Sequence, residues 1–103
     1  MLGKLVIAAA LLVSTVALAG PKEDMMAADR AFAKMSLEKG AHAAFLAYMT
    51  DDVRLYDGEH PPIIGRHAVE AYYAKNPDPK GSTLDWSPVE AMTSDAGDFG
   101  YTR

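Results

Sequence analysis

The order of apolar and polar positions divides the chain into short elements. In residues 22–39, Met25, Ala28, Phe32 and Met35 recur at steps of three and four, so they share one helical face. Asp24, Arg30, Lys34 and Glu38 take the other sides. Glu23 and Asp24 complement the positive end of the helix dipole, Lys39 the negative end, and Gly40 supplies a left-handed stop. The methionines read as fillers of core gaps. Residues 41–49 form a second, shorter helix. His42, Phe45 and Met49 lie on one face and Ala41, Ala44 and Tyr48 on the next, a near-complete apolar circumference that predicts a well-buried helix. His42, at the helix start, reads as a surface or capping residue.

Asp51 and Asp52 close that helix, and the pattern changes to a period of two. Val53 and Leu55 share one face of a strand over residues 53–56, and the same parity puts Asp57 on that face. Asp57-Gly58 turns the chain. Pro61-Pro62 enforces an extended approach to Ile63-Ile64, a short apolar segment expected to be buried and ended by Gly65. Residues 66–75 return to helical spacing, with Val69, Tyr72 and Tyr73 as the apolar stripe. Residues 76–81 are a loop by composition. Residues 83–92 predict a strand with Leu84 and Trp86 on one face. The parity shifts towards Val89 and Ala91, which predicts a bulge or edge position near Pro88. Residues 94–98 predict a hairpin loop, and residues 99–103 a further strand with Phe99 and Tyr101 on one face.

Helices cluster early and strands late, so the predicted class is α+β. Two or three strands are few for three helices to cover, and the last one ends where a sheet would need its next partner. The expectation is of a single domain whose last strands lie beyond Arg103. Residues 1–19 are of another kind. A basic start at Lys4, an apolar run from Leu5 and the small-x-small pattern Ala17-Leu18-Ala19 predict a signal peptide cleaved after Ala19. That leaves a domain at residues 20–103 in the periplasm or outside the cell. The apolar run is shorter than the ~20 residues that span a bilayer, and no membrane association is expected after cleavage.

Composition removes several function classes. The 103 residues are 23% charged with a formal charge of −4, which argues against a nucleic-acid partner. There is no cysteine, so disulfides, thiolate metal sites and a lipid-anchoring cysteine are all excluded. No phosphate loop, nucleophile elbow or zinc-binding helix occurs. Asp57, Glu59 and His60 follow no established ligand spacing. Neither a metal nor a cofactor is expected.

Three segments together carry a family resemblance: AADRAFAKMSLEKGAHAAFLAYMTDDVRLYDG, then PPIIGRHAVEAYYA, then LDWSPVEAMTSDAGDFGYTR. From Met25 to Arg103 the chain resembles the nuclear transport factor 2-like superfamily. Within it the likeness is to the SnoaL-like and ketosteroid-isomerase-like group, especially the secreted proteins called domain of unknown function 4440. The resemblance implies a cone-shaped, curved antiparallel sheet packed by the three helices around a pocket. It implies a small apolar or aromatic ligand, with Phe45, Tyr48, Leu55, Tyr72, Trp86 and Tyr101 as lining residues. It also implies a role for Asp57, which, counted from the Asp51-Asp52 doublet, occupies the position of the isomerases' general base. A carboxylate there could move a proton at a carbon beside a carbonyl.

An isomerase also needs donors for the enolate oxygen. Where those enzymes have a tyrosine in the first helix, this chain has Ala33, and their second donor would fall beyond Arg103. Asp57 can equally be the first residue of an Asp-Gly turn, capping a backbone amide. Three readings follow: a ligand-binding module, an isomerase, cyclase or dehydratase with Asp57 as base, and a domain that dimerises through its sheet.

Overall fold

A computed structural model describes residues 20–103, and the expected signal peptide lies outside the described residues. The class is α+β, with three helices and two small antiparallel sheets. Helix α1 spans Pro21–Lys39 and helix α2 spans Ala41–Tyr48. Gly40 joins them at φ +96° and ψ 154°, a conformation that strains any residue with a side chain. α1 is proline-started and carries Glu23 and Asp24 in its first turn and Lys39 in its last, as the dipole favours.

α1 packs against α2 on one side and against the carboxy-terminal hairpin on another. Its fully buried positions are therefore Ala33 and Ser36, at the line where the two contacts meet. Met25, Phe32 and Met35 flank that line half-buried, and Ala28 is exposed. The expected stripe is thus rotated. α2 is also less enclosed than its composition suggests: Ala44 is fully buried, but Ala43, Ala47 and Tyr48 face solvent. An eight-residue helix with one neighbour on each of two sides has no means of covering its whole circumference.

Strand β1, Arg54–Leu55, pairs antiparallel with β2, Ile63–Ile64, with Leu55 opposite Ile63. The short apolar segment is thus a strand, and its two isoleucines part company. Ile63 is buried and Ile64 is 59% exposed, because successive side chains point to opposite faces. Helix α3, Arg66–Lys75, begins directly after Gly65. The Gly65 amide donates to the Val53 carbonyl and the Arg66 amide to Asp51, which ties the helix start to the aspartate doublet. Val69 of α3 is completely buried.

The segment expected to be a strand over residues 83–92 is extended but unpaired until its end. Strand β3 is only Ala91–Thr93, and it pairs with β4, Gly100–Thr102. Two causes are visible. Pro88 has no amide to donate to a ladder. The stretch before it is held by side chains instead: Ser36 Oγ donates to the Leu84 carbonyl at 2.8 Å, and Trp86 Nε1 donates to Asp29 Oδ1 at 2.6 Å. The Val89 and Glu90 amides both donate to the Arg103 carbonyl, two residues against one, which is a bulge at the place where the apolar parity shifts. The hairpin loop closes through Ser94, whose amide donates to the Phe99 carbonyl and whose hydroxyl donates to Asp98 at 2.8 Å. β4 lies hard against α1: a Cβ on Gly100 would sit 2.6 Å from the Met92 carbonyl oxygen and 2.7 Å from the Met25 sulfur.

β1–β2 and β3–β4 are separate two-stranded sheets, and no cone-shaped curved sheet is formed among the described residues. The outer face of the second hairpin carries Met92 and Tyr101 side by side, both exposed.

Candidate functional site

A cavity of about 390 Å³ opens between α2, the end of β1, α3 and the loop that follows α3. Each wall comes from an element whose local sequence dictates the direction. His42 and Phe45 are one turn apart on α2 and project together. Leu55 leaves β1 towards the cavity, and Tyr56 and Asp57, which follow the two-residue strand, line it as well, so the expected alternation does not set Asp57 apart from Tyr56. Tyr73 comes from α3, and Asp78, Ser82 and Leu84 come from the loop. Apolar walls therefore meet a polar rim with two carboxylates.

Asp57 is exposed, so an apolar environment does not surround its charge. One of its oxygens accepts a hydrogen bond from Tyr72 Oη at 2.6 Å, and its carbonyl accepts from the His60 amide at 3.0 Å. The expected Asp-Gly turn and the candidate base are therefore the same residue in two roles. Its backbone closes the turn while its side chain is held by α3. The Tyr72 phenol is raised above the usual tyrosine value, first by its hydrogen bond to Asp57, then by desolvation, and then by the charge of Asp57. Tyr73 is raised as well, chiefly by burial and then by the charges of Asp57 and Asp78, with a smaller contribution from Tyr72.

The second polar group is a pairing that the sequence does not announce. Asp78 Oδ2 accepts the backbone amide of His42 at 3.2 Å, and Asp78 Oδ1 lies 3.5 Å from His42 Nε2. The preceding Gly40 has no side chain with which to cap α2, and a loop carboxylate 36 residues away serves instead. The imidazole then lies parallel to the Tyr73 ring, 3.7 Å between centroids and 3° between planes. His42 is half-buried at a helix start, as a capping residue would be, but it is the residue that is capped. The only local hint was a glycine at the N-cap, which leaves free helix amides for a distant acceptor.

Of the lining residues expected from the resemblance, Phe45 and Leu55 share the cavity with Asp57. Tyr72 reaches Asp57 but lines a shallower cleft beside His60 and Ile63. Trp86 and Tyr48 belong to an aromatic cluster around Phe32. Trp86 meets that ring edge-on at 4.7 Å and Tyr48 stacks on it at 5.0 Å. Phe45 also meets Phe32 edge-on at 4.8 Å, so its ring divides the cluster from the cavity. Tyr101 lies on the outer face of the hairpin, 52% exposed. Ala33 is buried in α1.

Among the described residues no three His, Asp or Glu side chains converge in a way that would hold a metal ion, and no helix is long and apolar enough to cross a membrane. No protein-family model, curated protein or solved structure matches the chain.

Proposed function

We propose that the protein is a small-molecule-binding module of the exported, SnoaL-like kind, acting in the periplasm or outside the cell. Its ligand has an aromatic or short apolar body and is held in the cavity between α2, β1, α3 and the loop after α3. The observation that carries this reading is the convergence there of Phe45, Leu55 and Leu84 with Asp57 and the His42–Asp78 pair. An apolar concavity with a few placed polar groups is the usual form of a ligand site. The reading includes the cone architecture of the group that the sequence resembles. It is supported by the order of two helices, a hairpin, a third helix and a second hairpin.

The test is to titrate small aromatic molecules, neutral and charged, into the isotope-labelled protein and to follow backbone amide resonances. Binding should move the resonances of His42, Asp57 and Thr83, and Leu55→Trp, which fills the cavity, should abolish the shifts. If none of the molecules moves those resonances, the module reading falls.

A second reading, a proton-transfer enzyme, is favoured by the Tyr72–Asp57 hydrogen bond. A carboxylate with one oxygen held is oriented to take a proton through the other. The reaction would be abstraction at a carbon beside a carbonyl, with Asp57 as acceptor. Deuterium exchange at the α-carbon of an aromatic ketone should then be accelerated by the protein and lost in Asp57→Asn while the fold is retained. Equal exchange by both proteins would remove Asp57 from any such role.

A further inference from the structure

We propose that the cavity selects a small organic cation, a primary ammonium group on an aromatic or short apolar body. This deepens the binding reading and rests on it. Two of the lining side chains, Asp57 and Asp78, are carboxylates, and none is lysine or arginine. The basic residues closest along the chain, Arg54 and Lys80, are exposed and line no part of the cavity. The one lining residue that could carry a positive charge, His42, is already committed. Its ring lies against Tyr73, and its Nε2 and backbone amide face Asp78.

Asp57 differs from Asp78. Tyr72 occupies one carboxylate oxygen and leaves the other without a protein partner among the described residues. Asp57 is exposed, so water solvates that charge in the free protein; a neutral guest covering it would displace that water and offer no charge in return. An anionic guest would meet two like charges. An ammonium group would donate to the free oxygen in a charge-assisted bond, shorter and stronger than a neutral one. The same walls supply what the rest of such a molecule needs. Phe45, Tyr56 and Tyr73 line the cavity, and their area can cover an apolar body. The chain's formal charge of −4 adds long-range attraction in the same sense.

Three probes of nearly the same shape separate charge from shape: 2-phenylethylamine, 2-phenylethanol and phenylacetate. Their affinities are read from the shifts of the His42, Asp57 and Thr83 amides at low salt and at about 0.5 M salt. The amine should bind about two- to fivefold more tightly than the alcohol, as an exposed charge pair allows, and phenylacetate should bind weakest. The advantage of the amine should shrink at high salt, because screening weakens partly exposed charge pairs. Asp57→Asn keeps an acceptor for Tyr72 and removes the charge. In that variant the amine should lose its advantage over 2-phenylethanol.

If the alcohol or phenylacetate binds as tightly as the amine, the proposal is overturned and the binding reading stands. If none of the three moves the cavity resonances, both fall. A preference for the amine that survives in Asp57→Asn with the fold intact by circular dichroism would also overturn the assignment to Asp57.

Discussion

The hydroxyl of Tyr72 donates to the carboxylate of Asp57 across 2.6 Å, joining the third helix to the turn that follows the first strand. This bond holds the phenol protonated, and burial together with the neighbouring carboxylates does the same for Tyr73. Both groups have folded-state values above the usual tyrosine value of about 10. Between the unfolded and the folded value the native protein binds more protons than the unfolded chain. Their contribution to stability is therefore complete below about pH 10 and is lost as pH rises through the folded values. Tyrosinate absorbance should show two of the five tyrosines titrating late. Asp57→Ala, which removes both the hydrogen-bond acceptor and the charge, should return Tyr72 most of the way to the ordinary range. Tyr73 should move less, because burial is its leading cause.

Gly40 is constrained twice. Its φ of +96° with ψ of 154° strains any L-residue, and a Cβ there would sit 3.2 Å from Asp78 Oδ2. Gly40→Ala should cost about 1–3 kcal/mol in chemical denaturation. It should also displace the carboxylate that caps α2, visible as a shift of the His42 amide resonance.

Trp86 and Asp29 are 57 residues apart, and their hydrogen bond fastens the unpaired extended segment across α1. Both residues are half-buried, so the bond should be worth less than a buried charged one. A double-mutant cycle with Trp86→Phe and Asp29→Ala should give a coupling of about 1–2 kcal/mol. Additive effects of the two changes would show that Trp86 is held by ring packing on Phe32 and not by its bond to Asp29.

Ser36 is 3% exposed and gives its hydroxyl to the Leu84 carbonyl. Ser36→Ala should destabilise the fold by about 1 kcal/mol in urea unfolding. Leu84 is a cavity wall, so the same change should weaken binding of any cavity ligand without touching the ligand.

Much of the local architecture was legible in the chain. The helix over residues 66–75 follows from Val69, Tyr72 and Tyr73, and the break between the first two helices follows from Gly40. The two hairpin turns follow from Asp57-Gly58 and from the polar run at residues 94–98. These features depend on backbone preferences and side-chain direction over a few residues, which the sequence carries directly. The tertiary structure decided what those faces meet. It rotated the buried line of α1 onto Ala33 and Ser36, because two neighbours press on that helix from different sides. It left residues 83–88 out of any ladder, because Ser36 and Asp29 hold them by side-chain bonds and Pro88 offers no amide. It brought Asp78 to His42 and Tyr72 to Asp57, across 36 and 15 residues. No periodicity encodes such pairs. They form when two elements are packed together and a charged or polar group is left needing a partner that its own segment does not supply.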